Sequence, residues 1–288
     1  KFINELLISY IMSRDDTKIE IYTGRKGSNP GGKCLVTTRT SEFDAYFKYC
    51  PGSRLPPFSP IDKKNPQPFT PQHQPIYEAI TFALAQRMGL NVPEFQVLVN
   101  NDSVSFTYDP NTSNRINERM PFYLISKLIE VPVSEDNAGK DAALKKEKVF
   151  RDLLMVSDVS NKAQNFRYVE KEDRMLYLDL GCSFVNAVEG YLRKTSFKLP
   201  EGNVKKARKV AENIQDYWIA TADGTDIKQI GEILDLRDLL IPTLTSGRTF
   251  MPVDSLLSGE EISELETMLL LNLITVRNKH KSKLERED

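Results

Sequence analysis

Asn165 and Asp179 stand at the two ends of the stretch "NFRYVEKEDRMLYLDLG", and each carries side-chain oxygen. The residues between them read as two short strands, "FRYV" and "MLYL", joined by an "EKEDR" turn. A hairpin brings its ends together, so an amide oxygen and a carboxylate can face one hard cation such as Mg²⁺. Asp-Leu-Gly is equally an ordinary turn that closes a strand. The residue pattern alone leaves both readings open.

Two more residues bear on this choice. Lys48 lies within "FDAYFKYC", where Ala45, Phe47 and Tyr49 alternate with Tyr46 and Lys48. Glu78 stands near the start of the helical run "IYEAITFALAQRMGLNVP". A strand lysine can simply reach out to solvent, and a carboxylate early in a helix suits the helix dipole. Taken together, a strand lysine followed by a helix glutamate is the pair with which protein kinases orient the phosphates of a nucleotide. Upstream lies "GRKGSNPGGKCLV", a glycine-rich turn whose backbone amides can approach phosphate oxygens closely. It is no Walker loop, because no Lys-Ser/Thr pair follows and the next segment reads as a strand.

The elements that must position these residues change character along the chain. Strands are expected at Thr17–Thr23, within "KCLVTTR", at Phe43–Cys50, and within "FQVLVN" and "SVSFTY". A proline-rich loop separates the third strand from the helix, on which Ile76, Ile80, Ala83, Leu84 and Met88 share one face. Gly89 and Pro93 punctuate its end. The apolar segment "PFYLISKLIEVPV" then leads to a second half in which helices are expected over Ala142–Met155, Val204–Thr221, Asp226–Leu240 and from Gly259 to about Lys281. In that half the hairpin after Asn165 is the one expected β insertion.

Composition narrows the classes. A net charge of -1 gives no support to a general nucleic-acid or membrane-surface binder, and no apolar run approaches the ~20 residues of a membrane span. Cys34, Cys50 and Cys182 are scattered, which argues against a disulfide framework or zinc site and suits a reducing cytoplasm. His73 and His280 read as surface residues, Trp218 as a core residue, and "KKARKV" and "RNKHKSK" as solvated helix faces.

The segments "GSNPGGKCLV", "AYFKYCP", "PIYEAITFALAQRMGLNVPEFQVLV", "SNKAQNF" and "YLDLGCSF" resemble the HipA-like serine/threonine kinases of bacterial toxin–antitoxin systems. The run E-x5-L-A-x3-G-L-x-V-P from Glu78 to Pro93 is the most telling part. The resemblance spans roughly Ile19 to Val185 and looks like the shortened, HipT type. It implies an α+β, two-lobed protein-kinase-like fold, with a β-rich N-lobe carrying one main helix over residues 1–130 and a mostly helical C-lobe with a metal-binding hairpin over residues 131–288.

It also implies ATP and Mg²⁺ as cofactors. Lys48 would hold the α/β-phosphates, Glu78 would orient Lys48, and Asn165 and Asp179 would bind the metal. The loop from Ser28 through Gly31 and Gly32 would cover the phosphates, with Ser28 as an autophosphorylation site. The connector from Ser126 to Glu130, with Lys127 and Ile129, would meet the adenine through backbone groups. The implied partners are a protein substrate, such as a translation factor or an aminoacyl-tRNA synthetase, and a small antitoxin protein.

One position departs from the family pattern. The catalytic-loop aspartate, five residues before the asparagine, falls on Ser160. Asp158 is the nearby carboxylate that can replace it as general base. A slow transfer without a base, a pseudokinase that binds nucleotide and transfers nothing, and a small-molecule or lipid kinase on the same scaffold are the alternatives.

Overall fold

The computed structural model describes residues 17–24, 30–50, 69–100, 104–112, 115–154, 156, 165–181, 183, 185–186, 191–192, 235–245 and 248–284. Among the expected features, Ser28, Asp158, Ser160, Cys182, the helix Val204–Thr221 and Trp218 lie outside these residues.

Alternation of apolar and polar side chains builds the first three strands, β1 (Thr17–Ile21), β2 (Gly31–Thr37) and β3 (Glu42–Lys48). They pair antiparallel in sequence order. The sheet continues through β4 (Phe95–Val99), β5 (Val104–Tyr108) and β6 (Phe122–Lys127). Ile19, Ile21, Cys34, Val36, Ala45, Phe47, Tyr123 and Ile125 form a closed apolar cluster on one face. The opposite face, with Val97 and Leu124, packs on helix α1 (Gln74–Arg87).

Helix α1 is buried on all sides from Gln74 to Ala85, where the sequence pattern had suggested one apolar face. It packs against the sheet, and among its residues only Gln86 and Arg87, in the last turn, are exposed. Its end is a Schellman motif. The Gly89 amide donates to Gln86 and the Leu90 amide to Ala85, and Gly89 takes φ +77°, which a side chain would disfavour.

The second half begins with α2 (Asn137–Lys146) and α3 (Lys148–Leu153), two helices where one was expected over Ala142–Met155. The break falls at Glu147. Its buried carboxylate accepts the Tyr177 hydroxyl at 2.7 Å, tying the helix junction to the hairpin of β7 (Phe166–Val169) and β8 (Arg174–Tyr177). The expected hairpin is therefore present. It turns through Glu170–Glu172 and Asp173, whose φ of 49° is the left-handed conformation that Asp tolerates.

Two expectations for this half need correction. Residues 235–239 form no helix, and Leu240 begins a strand, so the helix expected over Asp226–Leu240 does not reach its end. The hairpin after Asn165 is also not the single β element. After the two-residue strands β9 (Val185–Asn186) and β10 (Tyr191–Leu192) come β11 (Leu240–Thr245) and β12 (Arg248–Pro252). Strand β11 pairs parallel with β4, giving a mixed sheet in the order β12-β11-β4-β6-β3-β2-β1-β5. Helix α4 (Gly259–Leu284) closes the described fold, and Asn272 anchors it to the Leu153 carbonyl at the end of α3. The architecture is thus α+β, with a β-rich first part bearing one main helix, and with helices and hairpins following.

Candidate functional site

The two-residue period of β3 puts Lys48 on the face opposite Phe47, toward α1. Glu78, on the second turn of α1, faces it. Their contact is close: Lys48 Nζ donates to Glu78 Oε1 at 2.8 Å, and the Glu78 side chain is 1% exposed. Asp179 Oδ1 lies at the same 2.8 Å from Lys48 Nζ, and this carboxylate is 39% exposed. One ammonium therefore sits between two carboxylates from separate elements. Burial works against the charged lysine, but Glu78 and Asp179 outweigh it and hold the Lys48 pKa above its ordinary value.

Asp179 is placed by its backbone. The amides of Leu178 and Asp179 donate to the Asn165 carbonyl at 2.8 and 3.3 Å, so the two ends of the β7–β8 hairpin meet as the sequence suggests. Asp179 Oδ1 also accepts the Gly181 amide at 3.0 Å, forming a tight Asp-x-Gly turn. Gly181 in turn is held by α1, because Gln74 Nε2 donates to its carbonyl at 3.3 Å. A Cβ on Gly181 would stand 3.0 Å from Glu78 Oε2, so glycine lets this turn close against the buried glutamate.

These groups open into a cleft of about 340 Å³ whose lining includes Lys48, Asn165 and Asp179. Gly31 and Gly32 belong to strand β2, not to a loop, and pair with Lys48 and Phe47. A Cβ on Gly31 would fall 2.2 Å from the Phe47 carbonyl oxygen, and one on Gly32 would fall 2.2 Å from that of Thr23. Their glycine identity thus serves close strand packing. Lys127 and Ile129 both line the cleft. The Lys127 amide donates to the Glu94 carbonyl and the Leu128 amide to Asp44, so these two donors are occupied within the protein.

Sequence reasoning singled out neither Lys33 nor Arg167 of the cleft. Lys33, Tyr46 and Ser126 form one row across β2, β3 and β6, next to the row of Gly31, Lys48 and Leu124. Arg167 and Leu178 join them from the hairpin. The alternation that placed Tyr46 on the Lys48 face was a usable signal for that residue. Ser126 begins the connector expected to meet the adenine, whereas nothing local marked Arg167. His73, expected at the surface, is instead partly buried, and its Nδ1 donates to Glu261 Oε1 at 2.7 Å.

Asn165 and Asp179 supply hard oxygen donors in one cleft, beside an ammonium suited to phosphate. That donor chemistry fits Mg²⁺, which binds through one or two protein oxygens together with nucleotide phosphates and water. Among the described residues no cluster of three or more His, Cys, Asp or Glu side chains offers an all-protein metal site. No helix among them is long and apolar enough to cross a membrane.

No family model matches the chain, and no curated protein matches it. Among solved structures the chain is similar to the Rio2 kinase of Chaetomium thermophilum, determined as an ADP/Mg²⁺-phosphoaspartate complex. The identity is 12% and the TM-score 0.33, over 97% of this chain and 76% of that one. A likeness of this size carries no argument about activity, and the site stands on its own geometry.

Proposed function

We propose that this cleft binds a nucleoside triphosphate with Mg²⁺ and transfers its terminal phosphoryl group to a hydroxyl. The observation that carries the reading is the Lys48 ammonium held at 2.8 Å by both Glu78 and Asp179 at the edge of a cleft. A buried cation kept charged by a fully buried carboxylate is preorganised to meet phosphate oxygens.

In this reading Glu78 fixes the position of Lys48, and Lys48 meets the α/β-phosphates. Asn165 and Asp179 hold the Mg²⁺, which neutralises phosphate charge when bound. In the transfer, the bond between the terminal phosphorus and the ADP oxygen breaks and a bond to the acceptor oxygen forms. The hydroxyl proton passes to a base, for which Asp158 is the nearby carboxylate in sequence. Sequence resemblance to HipA-like kinases supports a protein serine or threonine as acceptor, autophosphorylation at Ser28, and a toxin role restrained by a small partner protein.

Ser160 favours a second reading, a site that binds Mg²⁺ and nucleotide without transfer. Intact-protein mass after incubation with Mg²⁺ and ATP, beside thermal melting with Mg²⁺ and ADP, separates the two. A one-phosphate gain that Asp179→Asn abolishes supports the kinase. A nucleotide-dependent rise in melting temperature with no phosphate on the protein or on an added protein acceptor supports the second reading. No rise and no gain sink both.

A further inference from the structure

Helix α1 presents two neighbouring rows of side chains, each with the i, i+4 spacing that stacks residues along one helix face. Gln74 and Glu78 form the first row. They grip the site, one through the Gly181 carbonyl and the other through Lys48. His73, just before the helix, and Tyr77 form the second. Both end on a single oxygen of helix α4. His73 Nδ1 and the Tyr77 hydroxyl donate to Glu261 Oε1 at 2.7 and 2.5 Å.

Glu261 is itself fixed. Its side chain is 3% exposed, its Oε2 accepts the Ser258 amide at 2.9 Å, and its own amide donates to Ser258 Oγ at 3.2 Å. This is a capping box at the start of α4, so the carboxylate cannot swing without opening the first turn of that helix. The anchored rings are packed as well: His73 lies against Phe122 of β6, and Tyr77 lies edge-on to Phe69. The Tyr77 hydroxyl also accepts the Thr70 amide at 3.1 Å.

We infer that Glu261 is a positioning residue for the Lys48–Glu78–Asp179 site, acting through Tyr77 and His73 to set the rotation and depth of helix α1. The inference deepens the nucleotide reading and rests on it for its functional meaning. The physical link is short. Tyr77 and Glu78 are consecutive residues on a rigid helix, so a rotation that frees Tyr77 from Glu261 withdraws Glu78 from Lys48. A buried carboxylate that collects three donors at the base of one helix and aligns the next is also a natural point of control. A partner or modification that disturbed the start of α4 would be felt at Lys48.

The test is the rate at which a small amine-acylating reagent modifies Lys48 in the folded full chain, read by peptide mass spectrometry. Wild type is compared with Glu78→Gln, Glu261→Ala and the double variant, and Mg²⁺·ADP affinity is measured on the same four proteins. Glu78→Gln is expected to raise the Lys48 rate, and Glu261→Ala to raise it about threefold or more, while the double variant stays at the Glu78→Gln value. General loosening of the fold would instead make the two effects multiply, which would overturn the inference. A wild-type Lys48 rate in Glu261→Ala would overturn it too. If Glu261→Ala does not fold, Tyr77→Phe removes the hydroxyl while keeping the ring and is judged by the same criterion. If wild type binds no ADP while the Lys48 rates follow the expected pattern, the nucleotide reading fails and the positioning role stands.

Discussion

Lys48 Nζ lies 2.8 Å from Asp179 Oδ1, so the first residue of the Asp-x-Gly turn is already engaged by the lysine that Glu78 holds. Asp179 therefore divides its charge between the ammonium and whatever enters the cleft. A bound cation would compete with Lys48 for it and push the lysine toward incoming phosphates.

Removing Lys48 should reveal the cost of the buried carboxylate. Lys48→Met leaves Glu78 buried without its counter-charge, and stability should fall by about 3 kcal/mol. Adding Glu78→Leu should restore a large part of that loss, because the pair is then replaced by apolar volume. Urea denaturation of both variants measures the difference.

Asp179→Asn should keep the fold and lose the response to Mg²⁺. Wild type at saturating Mg²⁺·ADP is expected to gain about 2 kcal/mol of apparent stability by mass action, and the variant much less. Melting curves with ADP, each recorded with and without Mg²⁺, provide the measurement. An equal Mg²⁺-dependent rise in both proteins would remove Asp179 from the metal site.

Acid should weaken the fold through Glu261. Burial raises the pKa of this carboxyl, but hydrogen bonds from His73, Tyr77 and the Ser258 amide overcome that and hold it at about 2, against an ordinary 4.5. A carboxyl whose folded pKa is lowered binds its proton more readily when unfolded. Its contribution is therefore complete above pH 4.5 and drains away as the pH falls toward 2. Glu261→Gln should be less stable than wild type by roughly 2 kcal/mol at neutral pH, with the gap narrowing in that acid range. Denaturation midpoints at pH 6, 4 and 3 follow the gap.

Gly31→Ala should disturb the sheet beside the site. Its methyl would meet the Phe47 backbone oxygen at 2.2 Å, and a strand backbone cannot step aside as a flexible side chain can. A loss of about 2 kcal/mol is expected from forced separation of β2 and β3. Gly89→Ala meets no atom within 4 Å and is a useful contrast, because its cost comes from the positive φ alone, about 1 kcal/mol.

Much of the local structure was legible because short-range period carries it. The alternation in "AYFKY" assigned Lys48 to the face away from Phe47, and helix α4 begins at the expected Gly259 behind a serine, with acids in its first turn. The hairpin between Asn165 and Asp179 followed from two short apolar strands around a charged turn. What failed was non-local. Strand β11 joins β4 in parallel pairing across about half of the chain, and nothing in "LIPTLT" names that partner. The broad burial of α1 was hidden for the same reason, since β6, β9 and β11, which share in covering it, are distant in sequence.

The sequence by itself determined the chemical inventory: a strand lysine, a helix glutamate, an asparagine and an Asp-Leu-Gly turn, in an order suggesting phosphate and metal chemistry. Only the tertiary structure decided that the lysine bridges both carboxylates, that the two expected glycines belong to a strand, and that His73 and Tyr77 converge on Glu261. The reason is physical. Hydrophobic periodicity is a property of neighbouring residues, whereas an ion pair or a shared hydrogen-bond acceptor depends on ångström distances between elements that only folding brings together.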